Sequence, residues 1–428
     1  MTVKRLAAAF LTLALALPLA AQQDAALARA ERILREVPLV DGHNDLPWQF
    51  RARTQNRLGR IDLRQEQSRL ERPLHTDIPR MRRGLVGAQF WSVWVPTELK
   101  GPDAVQATLE QIDVVHRLGA LYPDTFVVAR TAAEIEQIHK SGKIASLIGV
   151  EGGHSINASL GALRQFHLLG ARYMTLTHGA NVAWADASTA EPKHNGLTPF
   201  GRRVVTEMNR LGMMVDLSHV SPKTMHDALD ATLAPVIFSH SSARAVTDHP
   251  RNVPDDVLLR VKANGGVVMI TFVPGFISTK VLEQGAAREA EQARLKAMYE
   301  GQPERVNAAL EAWDKANPRV DATVADAADH IEHIIRIAGE DHVGIGGDFD
   351  GIGRTPTGLT SVADYPNLFA ELIRRGHGDQ RLKKIAGLNL LRVMAKVEAV
   401  AAGMKSTPPA DVRIEDLDEP VKEEQQRP

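Results

Sequence analysis

Histidine and carboxylate side chains recur in this chain directly after short apolar segments. The most closely spaced pair is His43 and Asp45, in the sequence VDGHNDLP. Residues i and i+2 of a strand project from the same face, so a His-x-Asp pair at a strand end can direct two ligands at one point. The other residues of this kind are Glu151, His178, His219, His240 and Asp348, each at the end of an apolar run.

Imidazoles and carboxylates gathered in one pocket are typical of a metal site. An unpaired buried carboxylate costs on the order of several kcal/mol, and a divalent cation would neutralise Asp45 and Glu151 while accepting imidazole lone pairs. Cysteine is absent, and a ligand set without thiolate suits zinc, with manganese, cobalt and iron left open. Four such groups could serve one metal ion, whereas five with one shared carboxylate suit a pair about 3.5–4 Å apart, which activates water and polarises a carbonyl. The residues therefore predict metal-assisted hydrolysis.

The composition and the missing motifs exclude several other classes of protein. The chain has 428 residues, of which 44% are hydrophobic and 24% are charged, as in an ordinary globular protein. Its formal net charge is -1, so we expect no nucleic-acid partner. The sequence contains no G-x-S-x-G, H-E-x-x-H or G-x-x-x-x-G-K-[ST] motif, which argues against the hydrolases and nucleotide-binding proteins that use them.

Strands that alternate with helices would position these side chains. Helical patterns cover Thr198–Leu211 and Thr323–Ala338. The eight strand candidates are Pro38–Asp45, Val86–Val95, Lys143–Glu151, Arg172–His178, Met213–His219, Pro235–His240, Gly265–Phe272 and His342–Asp348. This order predicts an α/β protein with a (β/α)8 TIM-type barrel, in which the carboxyl ends of the strands form one rim, and leaves an open doubly wound sheet as the other possibility. We expect four tryptophans to pack in the core, namely Trp48, Trp91, Trp94 and Trp184.

The ends of the chain and one internal segment differ in composition from the rest. Lys4 and Arg5 precede the apolar run Leu6–Ala21, which predicts a signal peptide over residues 1–21 and export to the periplasm or medium. The barrel domain then covers residues 22–400, with a helical insertion at about 278–320 between the seventh and eighth strands. Residues 401–428 form a charged tail. We expect no integral membrane span after signal cleavage.

Long motifs carry a resemblance to a known family. The chain resembles the membrane (renal-type) dipeptidase family, peptidase family M19, from about Pro38 to Val393. The motifs are DGHNDLP, GVEGGHSI, LTPFGRRVVTEMNRLGMMVDLSHVS, FSHSSARAV, RNVPDDVL, HVGIGGDFDG and KIAGLNLLRV. The resemblance implies a metal-hydrolase barrel with two zinc ions, and a homodimer that has no disulfide because the chain lacks cysteine.

The resemblance also implies a role for each site residue. His43 and Asp45 would bind one zinc ion, His219 and His240 the other, and Glu151 both. His178 would contact the substrate and stabilise the developing oxyanion, and Arg251, in HPRNVPD, would pair with the free carboxylate of a dipeptide. Asp348 would transfer the proton and face the substrate's amino end. The catalytic residues on this reading are Glu151, His178 and Asp348.

The leading hypothesis is an exported di-zinc dipeptidase that uses a metal-bridging hydroxide. Its substrates would be L-L dipeptides, with L-D dipeptides left open. Two other hypotheses remain at this point. The first is another metal-dependent amidohydrolase, such as an N-acyl amino acid amidase, a lactonase or a deaminase. The second is a non-catalytic periplasmic binding protein.

Overall fold

Parallel strands form the centre of the structure, a computed structural model that describes residues 19–418. Most of these strands are apolar and buried, as expected of parallel strands covered by helices. The strands within the described residues are β1 Leu39–Asn44, β2 Val86–Trp94, β3 Phe126–Val128, β4 Ile144–Glu151, β5 Ala171–Thr175, β6 Met214–Asp216, β7 Ile237–Phe238, β8 Val267–Ile270 and β9 Val343–Ile345.

Eight of the strands close into a barrel. Neighbours pair in the order β2-β1-β9-β8-β7-β6-β5-β4. The ring closes because β2 also pairs with β4, from Ala88–Ala145 to Trp94–Glu151. This closure confirms the (β/α)8 barrel and excludes the open sheet. The short strand β3 pairs with the start of β4; it was not predicted, because three residues are too few to show a periodic pattern.

Several strands are shorter than the sequence predicts. Strands β6 and β9 end at Asp216 and Ile345, rather than at His219 and Asp348. The φ angles of His219 and Asp348 are 68° and 62°, in the left-handed region that an extended strand does not contain. The backbone has therefore turned before these two side chains, and strand alternation does not set their direction.

Helices surround the barrel. Helix α7 illustrates how the sequence defines them: the Thr198 side chain accepts a hydrogen bond from the Gly201 N–H, Pro199 opens the helix, and Gly212 ends it with a φ of 80°. The helices of the described residues are α1 Leu19–Glu36, α2 Leu46–Thr54, α3 Ile78–Arg83, α4 Gly101–Leu121, α5 Ala132–Lys140, α6 Leu160–Leu168, α7 Pro199–Leu211, α8 Pro222–Ala231, α9 Asp255–Asn264, α10 Pro274–Ile277, α11 Thr279–Met298, α12 Pro303–Ala316, α13 Val324–Ile337, α14 Tyr365–Arg374, α15 Asp379–Lys383, α16 Asn389–Gly403 and α17 Ile414–Leu417.

The segment between β8 and β9 contains the predicted helical insertion. Helices α11 and α12 pack against each other around a small cluster of Leu295, Val306 and Leu310. Most other side chains of α11 are exposed. The insertion therefore has a small apolar centre of its own beside the barrel.

The predicted end segments fall partly outside the described residues. Residues 1–18 of the predicted signal peptide and residues 419–428 of the predicted tail are in this category. The described part of the tail contacts α7: the Ala410 N–H donates to Glu207, and Asp418 accepts from the Thr198 hydroxyl at 2.6 Å and the Phe200 N–H at 2.9 Å. Among the described helices, none is both long enough and apolar enough to cross a bilayer.

Candidate active site

The predicted site residues meet at the carboxyl end of the barrel. His43 lies within β1 and Glu151 ends β4, whereas the others follow their strands in loops. A cavity of about 330 Å³ is lined by seven of the eight residues, namely Asp45, Glu151, His178, His219, His240, Arg251 and Asp348. The eighth residue, His43, is fully buried and contacts Glu151.

Glu151 is the centre of this arrangement, and its two carboxylate oxygens face different neighbours. Oε2 lies 3.3 Å from Nε2 of His43 and accepts a hydrogen bond from the Ser92 hydroxyl at 2.9 Å. Oε1 lies 3.0 Å from Nε2 of His219 and 3.4 Å from Nε2 of His240. His178 is slightly farther from Oε1, at 3.6 Å. One carboxylate therefore contacts imidazoles with both of its oxygens, and His240 lies between the two sides, with its ring centre 3.8 Å from that of His43.

Two further carboxylates lie on the His43 side. Nε2 of His43 is 3.4 Å from Oδ2 of Asp45, although Asp45 lies just after β1 and not within it. Gly351 leaves room for both carboxylates: a Cβ there would lie 2.2 Å from Oδ2 of Asp45 and 2.6 Å from Oδ1 of Asp348. The predicted convergence of His43 and Asp45 is thus observed, through a turn instead of a straight strand.

The donor atoms fit a metal site. Three groups each bring one ligand atom per residue within 4.8 Å of one another: His43, Glu151 and His240; Glu151, His178 and His219; and His43, Asp45 and Asp348. Nε2 of His43 is buried and has no hydrogen-bonding partner among residues 19–418. Nε2 of His219 and Nε2 of His240 lie 2.9 Å apart, so at most one proton fits between them. Converging lone pairs and carboxylate oxygens of this kind are what a divalent cation binds.

The electrostatics of the site follow from its burial. Burial, together with positive charge nearby, holds the pKa values of His219 and His240 well below the usual imidazole value, which keeps their lone pairs available. Burial raises the pKa of the Asp348 carboxyl well above its usual value, and His43 opposes this shift. Burial also acts to raise the pKa of Glu151, but the positive charges of His43 and His178 outweigh it and hold this pKa well below its usual value.

The barrel and this site match one enzyme family along nearly the whole chain. A family profile described as membrane dipeptidase (peptidase family M19) matches residues 27–408. The chain belongs to this family. The match confirms the resemblance seen in the motifs. It also includes most of α1, which precedes the barrel strands in the sequence, and all of α16, which follows them.

Individual relatives of this M19 chain agree with that membership. A curated dipeptidase, verJ of Clonostachys rogersoniana, is 41% identical over 395 residues, which cover 90% of each protein. A metallopeptidase from Rhodobacter sphaeroides, solved with a phosphinate mimic of the dipeptide L-Ala-D-Ala, is 26% identical with a TM-score of 0.68 and covers 84% of this chain and 99% of its own. The solved M19 dipeptidase AC is 27% identical with a TM-score of 0.69, over 84% and 98%.

This M19 protein is a metal-dependent dipeptidase. The membership favours that hypothesis over a lactonase, a deaminase, an N-acyl amino acid amidase or a non-catalytic binding protein. The three groups of donor atoms are consistent with an activity that depends on a metal ion. The roles of single residues stay predictions.

Arg251 faces the cavity of the dipeptidase from the side of β7. Its guanidinium donates to the Ser241 hydroxyl at 3.3 Å and to the His240 carbonyl at 3.2 Å, and it lies 5.5 Å from the centre of the Phe276 ring. Burial lowers the pKa of Arg251 to about 10, so the side chain is still charged at neutral pH. A buried guanidinium at a cavity wall is suited to binding a carboxylate in two-point geometry.

Two tryptophans lie where the sequence did not place them. Trp91 and Trp184 are buried in the core as expected. Trp48 and Trp94, however, line the cavity and contact each other edge to face, with their ring centres 4.5 Å apart. The available signal was their position on the rim, since Trp48 closely follows Asp45 and Trp94 is the last residue of β2. Phe276, from α10, also lines the cavity, and it had no signal in the sequence.

Proposed function

We propose that this dipeptidase binds two zinc ions. His43 and Asp45 would hold one ion, His219 and His240 the other, and Glu151 both. The observation that carries this proposal is the division of the Glu151 carboxylate, with Oε2 toward His43 at 3.3 Å and Oε1 toward His219 at 3.0 Å. A carboxylate that serves a single ion has no need to face ligands on both sides.

The chain's own residues would bind, orient and move protons around such a centre. Two zinc ions, when bound, supply an activated water and polarise the scissile carbonyl. Asp348 would take a proton from the attacking water and pass it to the leaving amine, because its carboxylate lies beside His43 and Asp45 at the wall of the cavity. His178 lies at the cavity wall with its side chain 25% exposed, where a ring N–H can donate to the oxygen on which charge develops.

The distance from His178 to Glu151 leaves two roles to distinguish. At 3.6 Å from Oε1, His178 is close enough to be a ligand, whereas the family resemblance assigns it to the substrate. We assign it to the substrate, because His219 and His240 lie closer to the same oxygen. His178→Asn should then lose activity and keep two ions per chain; the loss of one ion would overturn the assignment.

Arg251 would select substrates by their free carboxylate. It is a charged donor at the cavity wall, and its position beside His240 places it next to the proposed metal ligands. The Rhodobacter sphaeroides relative is solved with a mimic of L-Ala-D-Ala, which supports acceptance of a D-residue at the second position here as well. We therefore propose dipeptides of both L-L and L-D form as substrates.

Two properties of the whole protein also belong to this proposal. The basic residues Lys4 and Arg5 before the apolar run Leu6–Ala21 support export after cleavage near residue 21. The family resemblance supports a homodimer, which contains no disulfide because cysteine is absent. N-terminal sequencing of the exported protein and light scattering of the purified chain would test these two points.

One experiment tests the central proposal. The purified protein is analysed for bound metal per chain and assayed with L-Ala-L-Ala, L-Ala-D-Ala, L-Ala-L-Ala-L-Ala and L-alanyl-L-alanine amide. We expect two zinc ions per chain and turnover of the two dipeptides alone. Full activity with one ion per chain would contradict the di-zinc centre, and equal rates on the tripeptide or the amide would contradict the carboxylate site.

A further inference from the structure

A tyrosine stands behind one of the candidate metal ligands. Tyr173 of β5 is fully buried and extends across the barrel interior; a Cβ on Gly149 would come within 1.9 Å of its ring. The Tyr173 hydroxyl lies 3.1 Å from Nδ1 of His43 and 3.1 Å from the Gly42 carbonyl oxygen. A glycine on the neighbouring strand thus gives the tyrosine ring room to reach the back of the imidazole.

Counting protons fixes the direction of these hydrogen bonds. A carbonyl oxygen only accepts, and a tyrosine has a single O–H proton. The Tyr173 hydroxyl therefore donates to Gly42, and its oxygen accepts from Nδ1–H of His43. In the neutral imidazole, which is the form that binds a metal ion, this proton on Nδ1 leaves Nε2 with a lone pair, and Nε2 faces Asp45 and Glu151.

A second hydrogen-bonded chain stands behind His240 and has the same result. Nδ1 of His240 lies 2.8 Å from the Ser239 hydroxyl, which lies 2.6 Å from Oδ2 of Asp216. Asp216 is fully buried at the end of β6 and also accepts from the Ser239 N–H and from the Thr175 hydroxyl. The single Ser239 proton goes to the carboxylate, so the serine oxygen accepts from Nδ1–H and Nε2 of His240 keeps its lone pair.

We propose that Tyr173 and Ser239 are positioning residues that fix the tautomers of His43 and His240, with Asp216 orienting Ser239. The proposal rests on the proposed function, in which these two histidines bind different metal ions. It adds that each ion depends on its own supporting hydroxyl, Tyr173 for the ion at His43 and Ser239 for the ion at His240. A hydrogen bond that holds the ring and leaves one nitrogen bare raises the affinity of a histidine for metal.

The third candidate ligand provides an internal contrast. Nδ1 of His219 is buried and has no hydrogen-bonding partner among residues 19–418. The tautomer of His219 is therefore not fixed from behind, and its ring is held by stacking on His178, with the ring centres 4.2 Å apart. The two hydroxyls serve two specific imidazoles, and not every imidazole of the site.

The test compares two variants with two matched controls. Tyr173→Phe and Ser239→Ala remove the supporting hydroxyls. Tyr365→Phe removes another buried phenol, whose hydroxyl bonds to Asp41, and Thr175→Val removes the other hydroxyl that donates to Oδ2 of Asp216. Metal-free forms of all the proteins are titrated with zinc in competition with a chelator, and their thermal unfolding is recorded to establish that they are folded.

We expect each variant to weaken one binding event by about 10- to 100-fold, the range typical of outer-shell substitutions, and the two variants to affect different events. Both controls should bind zinc like the wild type. Wild-type affinities in both variants, or equal losses in all four proteins, would overturn the proposal. A wild-type protein that binds fewer than two ions would instead count against the proposed function.

A second measurement does not need the metal. Long-range ¹⁵N–¹H spectra of the histidine-labelled, metal-free wild type, recorded at a pH high enough for both rings to be neutral, should show His43 and His240 with protonated Nδ1 and bare Nε2. Tyr173→Phe should change the His43 signals only, and Ser239→Ala the His240 signals only. Wild-type spectra with the proton on Nε2 of both rings would overturn the proposal even if zinc binds normally.

Discussion

Glu151 contacts both sets of candidate ligands, each with a different oxygen. At the scale of single residues it is therefore the side chain whose loss should affect both of the proposed metal ions at once. Each of the other proposed ligands is assigned to a single ion, so its removal leaves the other ion's ligands in place. Substitution of Glu151 should therefore have a larger effect on metal binding than substitution of any single histidine.

Glu151→Ala should abolish binding of both ions and lower kcat/KM by more than about 100-fold, beyond the range of outer-shell substitutions. Metal analysis per chain and dipeptide assays measure the two effects. Glu207→Ala is the control, because Glu207 of α7 is also a buried glutamate but pairs with Arg164 of α6 and Arg210 of α7, and it does not line the cavity. It should retain two ions per folded chain. Full turnover by Glu151→Ala would reject the site.

Arg251→Lys should weaken recognition of the substrate carboxylate. Lysine cannot reproduce the two-point geometry of a guanidinium, and a lost hydrogen bond to a charged group costs about 1.5–3 kcal/mol, or about 10- to 150-fold in kcat/KM. Arg244→Lys is the control, since Arg244 lies on the same loop and donates to the carbonyls of His249 and Pro250. If Arg251→Lys cleaved dipeptides as well as the wild type, the carboxylate assignment would be wrong.

The site residues that could be predicted from the sequence are ionisable residues at the end of an apolar strand. His43 and Glu151 are ionisable residues in otherwise apolar runs, and the closed barrel gathers such ends at one rim. Tyr173 and Asp216 could not be assigned in this way. They also occupy strand positions, but only the register and the space left by Gly149 show what they touch. Contacts across strands depend on register, which one sequence does not contain.

At the scale of elements, helix α13 joins the walls of the active site. Its His330 is fully buried. Nδ1 accepts from the Ala243 N–H at 2.9 Å, and Nε2 lies 3.2 Å from the Ile277 carbonyl, to which it donates. Ala243 lies in the loop that carries Arg251, and Ile277 ends α10, which carries Phe276. A neutral His330 therefore connects α13 to two segments of the cavity wall.

Burial lowers the pKa of His330 from 6.5 to about 4. The unfolded chain therefore binds a proton at higher pH than the folded chain, so this residue's contribution to stability is complete above pH 6.5 and is lost as the pH falls toward 4. We expect the protonation of His330 to lower the unfolding free energy by about 2 kcal/mol between pH 7 and pH 5. Denaturant unfolding at both values measures this loss.

The comparison for this prediction is His330→Gln, whose amide oxygen can still accept from the Ala243 N–H but does not titrate. Its unfolding free energy should fall less than that of the wild type over the same interval. Part of the fall should remain, because burial also lowers the pKa values of His167 and His249 to about 4. An equal fall in both proteins would mean that His330 stays neutral throughout or is already charged.

The elements themselves were predictable to different degrees. The eight barrel strands gave long apolar runs, and the insertion gave a polar stretch rich in helix-forming residues, so both were located from the sequence. The strand ends were not, because His219 and Asp348 take left-handed backbone conformations after the hydrogen-bonded ladder has stopped. Aspartate and histidine are enriched among non-glycine residues with positive φ, but this preference is too weak to show at which residue a strand ends.

At the scale of the whole molecule, the barrel holds three carboxylates close to one another, namely Asp45, Glu151 and Asp348. Arg251 is the cation among the residues that line the same cavity. The fold therefore concentrates negative charge that bound cations would balance. Because the ligands come from segments far apart in the sequence, the metal can bind them together only in the folded chain.

Removing the metal should consequently destabilise the entire protein. An ion that binds only the folded chain adds about 4.1 kcal/mol of stability per site when its free concentration is a thousand times its Kd. We expect the chelator-treated protein to unfold at a lower temperature, and the unfolding temperature to rise steadily with buffered free zinc. Glu151→Ala should respond much less to zinc, since its ligand sets are incomplete. Calorimetry of both proteins across a series of zinc concentrations measures these unfolding temperatures. If the unfolding temperature of the wild type did not depend on zinc, the metal would not stabilise the folded barrel.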